Sequence, residues 1–428
     1  MSKHRCNHDD VGSPKACKRN KYLKKPNNKL ELNKKKLSPI HRLDDDCLVK
    51  IFMYLPVQKR LEVEKVCTRW KDVIKSAWYD IKELDYLNSD DIEIELDEES
   101  LTQSELEKML ERCGRYLINL RLSDDYDSKI INVIRDNCHN LIKLKLELQT
   151  YSDDNFLWAF NDMEKLQSIK IHFSGNILLN CLQSIHKNIE DIQFIARDIY
   201  HQSLNYHRNF QQLLSKFNCL RYLTMNRLEL SYETIKTIGQ MRSLIHLDLQ
   251  NCYQNKKTSL VPLMNLSNLE YLDLFGIHIG NDVDDLIDGL AVNCVHLKHF
   301  DISWNLSLTK RGLMNICKMK NLEVLRMNYL TFQVNQQIGK FDKLKKLECN
   351  GFIGGVNTII IGIIKNSPNL ENFDIRNTPV TIHTLNNAIK ITKKRKNNIT
   401  LHLCVSRTSF ENYDQFENTS PLLDIQCH

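Results

Sequence analysis

The side chains of this 428-residue chain that could carry chemistry fall into three groups. His4, Cys6, His8 and Cys17 offer zinc-ligand atoms, but their spacing fits no standard finger and their neighbours supply no second layer, so no metal is expected. The 14 cysteines run from Cys6 to Cys427 without one C-x-x-C pair, the pattern of free thiols in a reducing compartment. Cys67, Cys113, Cys138, Cys252 and Cys294 sit at apolar helix or repeat positions, where a buried, inert thiol is the expectation. The third group is a row of charges, Asp248, Asp273, Asp301, Arg326, Glu348 and Asp374, each set between two apolar residues at similar points of a recurring pattern. Its chemistry would be charge recognition. The chain carries no G-x-G-x-x-G, phosphate-loop lysine, H-E-x-x-H or nucleophile elbow, so neither an enzyme nor a cofactor is expected.

The charged row must be held by the elements around it, and these repeat. The form L-x-x-L-x-L begins at Leu117, Leu141, Leu166, Ile189, Leu220, Leu244, Leu269, Leu297, Leu322, Leu344 and Leu370, an average spacing of about 25 residues. A degenerate opening unit near Ile81-Leu84-Tyr86 and a closing strand Ile399-Leu401-Leu403 bring the total to about 13 units over residues 81–405. Each unit reads as a short strand followed by a helical return such as Ser128–Asn137. Stacked units give an α/β fold, a leucine-rich-repeat horseshoe with parallel strands inside and helices outside. The row then lies on the concave face, flanked by His246, Tyr271, Phe275, His299 and Trp304. Like charges on neighbouring strands cost on the order of 0.2–1 kcal/mol per pair, so a basic partner protein is the expected occupant. Cys252 and Asn305 keep the usual Asn or Cys after the strand, whereas Ile277, Leu330 and Phe352 replace it. The segment 201–208, inside the longest interval, reads as a protruding loop or weak repeat.

Before the repeats stands a different unit. Asp44-Asp45-Asp46 can cap a helix whose apolar stripe is Leu48, Ile51, Phe52 and Leu55, ending at Pro56. Val63, Val66, Cys67, Trp70 and Ile74 continue at helical spacing and predict a second helix. About 45 residues cannot bury that much apolar surface alone, so a partner should cover the excess. The run Leu43-Asp44-Asp45-Asp46-Cys47-Leu48-Val49-Lys50-Ile51-Phe52-Met53-Tyr54-Leu55-Pro56, with Val66-Cys67-Thr68-Arg69-Trp70, resembles the F-box, and Cys138-x-x-Leu141 and Cys294-x-x-Leu297 resemble the cysteine-containing repeats often found behind one. The resemblance implies docking on the Skp adaptor of a cullin-RING ubiquitin ligase through Leu43, Leu48, Ile51, Phe52, Leu55, Pro56, Leu61, Val66, Cys67 and Trp70, some as contacts and some as internal core. Asp44 departs from the family, which usually has Pro after the Leu.

Composition bounds the rest. With 42% hydrophobic and 26% charged residues, 13 Gly and 8 Pro, the chain fits neither a disordered protein nor a turn-rich all-β fold, and its apolar runs are too short to span a membrane. Residues 1–36 hold 12 Lys and Arg against 3 acidic residues, and the remainder holds 47 against 50, so the net charge of +6 belongs to a basic, disordered tail. The expected organisation is that tail, an F-box at 37–80, the repeats at 81–405 and a C-terminal tail at 406–428. The expected role is a non-catalytic substrate receptor of an SCF-type ligase, cytoplasmic or nuclear. A repeat scaffold or inhibitor, its first helices serving only as a cap, is the alternative; nucleic acid is not an expected partner of so acidic a body.

Overall fold

The computed structural model describes residues 38–86, 101–173, 178–197, 210–254, 258–330, 339–352, 356–406 and 418–427. The basic segment 1–36, with His4, Cys6, His8 and Cys17, and the segment 201–208 lie outside the described residues.

A 3-10 turn at Pro39–Arg42 leads into α1 (Asp45–Met53). Asp44 caps it as expected, its side chain accepting the Cys47 N–H at 2.7 Å. Leu48 and Phe52 turn inward and are buried, and Pro56 stops the helix. The predicted second helix is instead two: α2 (Val57–Val63) and α3 (Thr68–Val73), separated by a turn. Cys67 is extended, with φ −164°, and caps α3 through its sulfur, which accepts the Trp70 N–H at 3.5 Å. The apolar period runs on across the break, so spacing alone could not reveal it.

Arg60 ties α1 and α2 to the segment that leads into the first repeat. It is 3% exposed and sits on the apolar stripe of α2, and its guanidinium spends all five N–H groups. They go to the carbonyls of Met53 (2.7 Å), Leu55 (3.2 Å) and Ala77 and to both oxygens of Asp80 (2.6 and 2.9 Å). Arg112 on α4 (Gln103–Cys113) reaches back to Glu64 at 3.0 Å. Ile74, Ala77 and Trp78 continue without interruption into the core beneath the first repeats.

Among the described residues the array is one open sheet of 14 parallel strands. In chain order these are β1 (Glu83–Tyr86), β2 (Asn119–Leu122), β3 (Lys143–Glu147), β4 (Ser168–Phe173), β5 (Asp191–Ala196) and β6 (Tyr222–Asn226). After the short β7 (Glu229–Leu230) come β8 (His246–Asp248), β9 (Tyr253–Gln254), β10 (Tyr271–Asp273), β11 (His299–Asp301) and β12 (Val324–Arg326). The series closes with β13 (Lys346–Glu348), β14 (Asn372–Asp374), β15 (Leu401–Val405) and β16 (Leu423–Cys427). β7 and β9 pair with each other outside the main sheet. Alternate strand residues such as Leu247, Leu272, Phe300 and Leu325 are fully buried against the return helices, which is the inside–outside alternation a half-buried strand requires. Thirteen of the sheet's 14 strands lie within residues 81–405. The fourteenth, β16, arises from the segment expected to be a tail, pairing with β15 from Leu401↔Leu423 to Val405↔Cys427.

Where the loop ladder keeps its polar residue, the residue satisfies backbone left open at the turn. Asn305 donates to the carbonyls of Ile302 and Ser303 and accepts the Ile279 N–H, while Cys252 donates to the Met225 carbonyl at 2.6 Å. Thr378 occupies an equivalent place, donating to Cys349 at 2.8 Å. The 12 cysteines among the described residues are free thiols, and burial pushes those of Cys113 and Cys252 up to about 12. No helix among the described residues is long and apolar enough to cross a membrane.

Candidate docking surfaces of the helical unit and the concave face

The helical unit divides its apolar residues between inside and outside. Leu48 and Phe52 are internal core, and the Trp70 ring meets Phe52 edge-on with centroids 5.1 Å apart. Leu43, Leu55, Leu61, Cys67 and Trp70 are half-buried, and Pro56 is exposed. Ile51 is 41% exposed, Val66 59% and Tyr54 91%, so these three are apolar surface that the unit does not use for itself. Tyr54 is absent from the sequence-derived set. It falls off the i, i+3, i+4 stripe, which is also why it points to solvent. Arg69 draws the preceding turn onto α1, bonding the carbonyls of His41 (3.2 Å) and Leu43 (2.5 Å) and the carboxylate of Asp45.

The charged row exists as a row. Asp248, Asp273, Asp301, Arg326, Glu348 and Asp374 are register partners on adjacent strands. It is not the open acidic surface that spacing suggested. Asp273 is 4% exposed and Asp301 3%. Each folds back to accept the N–H two residues on, at Phe275 and Ser303, both at 2.9 Å, as Asp248 does from Gln250 and Asp374 from Arg376. This turn-closing bond pulls the carboxylate down to the strand end, and it is the physical reason the residues are buried. Burial first, and the neighbouring aspartates next, push Asp273 and Asp301 up to about 6. Arg326 is shared: its guanidinium lies 3.1 Å from Glu348, 4.0 Å from Asp301 and 3.1 Å from the His299 ring. Lys346 also pairs with Glu348, at 2.9 Å.

Beside the row runs a stack of rings from four adjacent strands. His246 and Tyr271 lie 4.0 Å apart at 10°, Tyr271 and His299 4.2 Å apart at 21°, and Tyr222 adds a fourth ring 6.0 Å from His246. Burial and the Arg326 charge hold His299 down to about 4, and burial lowers His246 as well, so the His299 ring is neutral at physiological pH. Phe275 is half-buried and joins no stack with these rings. Tyr222 lies outside the sequence-derived set because the charged pattern begins only at residue 244; the same strand position one repeat earlier identifies it.

Three residues beyond the row, at the rim of the sheet, a second strip runs through seven repeats in left-handed backbone. Its members are Arg227, Asn251, Gly276, Trp304, Tyr329, Gly351 and Asn377, with φ from 56° to 73°. The strip is bonded across repeats, for example Asn251 N–H to the Phe275 carbonyl at 2.7 Å and Tyr329 N–H to the Asn350 carbonyl at 2.7 Å. Asn and Gly suit that conformation, whereas a large L side chain costs roughly 1–2 kcal/mol there. Trp304 and Tyr329 accept it, are 47% and 39% exposed, and stack on each other with centroids 4.5 Å apart.

No curated protein sequence matches the chain. Two internalins of Listeria monocytogenes are among the solved structures it is similar to: one at 17% identity and TM-score 0.40, covering 59% of this chain and 65% of that one. The other, internalin C2, matches at 18% identity and TM-score 0.35, covering 51% of this chain and 84% of that one. This chain thus spans just under two thirds of the first internalin's length. Residues 40–82, the unit of α1, α2 and α3, match the F-box domain family.

Proposed function

We propose that the chain is the substrate-receptor subunit of an SCF-type ubiquitin ligase, with its F-box docked on the Skp adaptor and its repeats holding the protein to be ubiquitinated. The observation that carries this is the F-box match at residues 40–82 together with the solvent-facing Ile51, Tyr54 and Val66, apolar surface a partner would cover. The unit at 37–80 is the docking piece, the repeats from 81 are the recognition piece, and the role belongs to the cytoplasm or nucleus. The chain acts by proximity, since the adaptor and cullin bring the conjugating enzyme to the bound protein. Co-purification tests it: the full chain should retain the Skp adaptor and a cullin, and Ile51→Asp with Val66→Asp should lose both while the melting profile stays the same. Absence of both partners from the wild-type eluate would sink the proposal.

One observation favours the scaffold alternative enough to keep it in view. The Arg112–Glu64 pair and the core shared through Ile74, Ala77 and Trp78 join the helices to the first repeats as a terminal cap would be joined. If α1, α2 and α3 serve only as a cap, the double variant above would melt lower and no adaptor would be found.

A further inference from the structure

Trp304 and Tyr329 stand where the rim strip abandons the residues its backbone favours. The fold does not require aromatics there, since Asn251, Gly276, Gly351 and Asn377 hold the same left-handed conformation in neighbouring repeats. Tyr329 lies over Gly351, where a Cβ would come within 2.5 Å of the ring, so one side of the stack is seated on bare backbone. On the other side the strip position is Gly276, where the Asn251 amide fills the space a side chain would take, and the indole stays 47% exposed.

The strands that carry the pair set its electrostatics. Asp248, Asp273 and Asp301 have one cation of the row beside them, Arg326, and that guanidinium lies closer to Glu348 than to Asp301. Glu348 in addition holds Lys346, and Asp374 is neutralised by Arg376 at 2.7 Å. The row behind the rim pair is therefore short of positive charge, in a setting where burial weakens screening.

Resting on the reading that the repeats bind a protein, we propose that the Trp304–Tyr329 pair is the seat for a basic side chain, arginine before lysine, of an extended partner segment lying along the rim. A guanidinium can stack flat on the open indole face while its charge answers the carboxylates behind, and an ammonium satisfies the charge without the stacking geometry. An acidic segment would be repelled, and an apolar one would gain nothing from the row.

The test is a displayed library of random dodecapeptides selected on the full-length protein, followed by fluorescence anisotropy of individual selected peptides. Arginine should be enriched among them. Trp304→Asn combined with Tyr329→Gly should weaken their binding by about tenfold or more. The double variant installs residues that equivalent positions already carry, so its melting temperature should be unchanged or higher, separating lost contact from lost fold. Asp301→Asn should weaken the same peptides less severely. Enrichment of acidic or purely apolar peptides overturns the proposal. Arginine peptides that bind the double variant within about twofold of wild type overturn this seat while leaving protein binding by the array standing. If wild type retains no peptide of any composition, both readings fall.

Discussion

A carboxylate that accepts the N–H two residues further on closes the turn at the end of its strand whether or not it carries a charge. At Asp273 and Asp301 the charge is the unfavourable part, because burial and mutual repulsion raise both to about 6 from an ordinary value of 3.8. A raised acid contributes stability that is present at low pH and lost as pH rises through its folded value. His172 and His299, both held down to about 4 chiefly by burial, work in the opposite sense: the folded state disfavours their protonation, so acidification below their ordinary 6.5 costs stability. Between pH 7.5 and pH 5 the two effects oppose each other. Asparagine can keep the turn-closing bond without the charge, so Asp273→Asn with Asp301→Asn should melt at or above wild type at pH 7.5. On acidification to pH 5 the variant should lose more stability than wild type, by about 1 kcal/mol per aspartate, because the compensating protonations are gone. Parallel stability–pH profiles would mean the carboxylates are not perturbed. The position of these aspartates was legible in the sequence and their burial was not: a charged residue between two leucines has the same spelling whether it faces solvent or folds onto its own turn.

Among the elements, α1 separates what a pattern reveals from what it conceals. Its cap, stripe and stop at Pro56 were all readable, yet the stripe treated Ile51 and Phe52 alike, and the structure puts one outside and the other 2% exposed against Trp70. Phe52→Ala should therefore cost about 3–5 kcal/mol and melt the small helical unit. Ile51→Asp should leave its amide-exchange protection intact and remove only adaptor capture. Equal loss of protection in the two variants would mean that Ile51 is structural. The last strand was overlooked for a different reason. Leu423-Asp424-Ile425-Gln426-Cys427 alternates as a strand should, but the repeat form Leu-x-x-Leu-x-Leu does not extend to it. Deleting 418–428 would bare the edge of β15, exposing the ladder of Leu401, Leu403 and Val405. The truncated chain should lose exchange protection in β14 and β15 while β2 to β6 keep theirs, since repeats couple mainly to their neighbours. Uniform loss along the array would contradict that nearest-neighbour behaviour.

At the scale of the whole chain, the stacked array was readable because each repeat restates the same pattern. The joint at its N-terminal end was hidden because it depends on residues far apart in sequence: Glu64 pairs with Arg112 across it, and Arg60 with Asp80 fastens the segment that enters β1. On the proposed receptor role, that joint would decide how the molecule presents a bound protein. A receptor whose docking unit swung freely would offer its target at many distances, whereas a unit sharing one core with the first repeats fixes the span from adaptor to concave face. Arg60 is the sharpest probe of the sharing. Removing its side chain strands the Asp80 carboxylate and the carbonyls of Met53, Leu55 and Ala77, and breaking a buried pair this way typically costs about 3–5 kcal/mol. If the helices and first repeats are one cooperative body, Arg60→Ala should lower exchange protection in α1 to α3 and in β1 to β3 together, leaving β10 to β14 unchanged. Loss confined to α1, α2 and α3 would show that the helical unit unfolds alone, and the span that the proposed receptor needs between its two ends would then not be set by this joint.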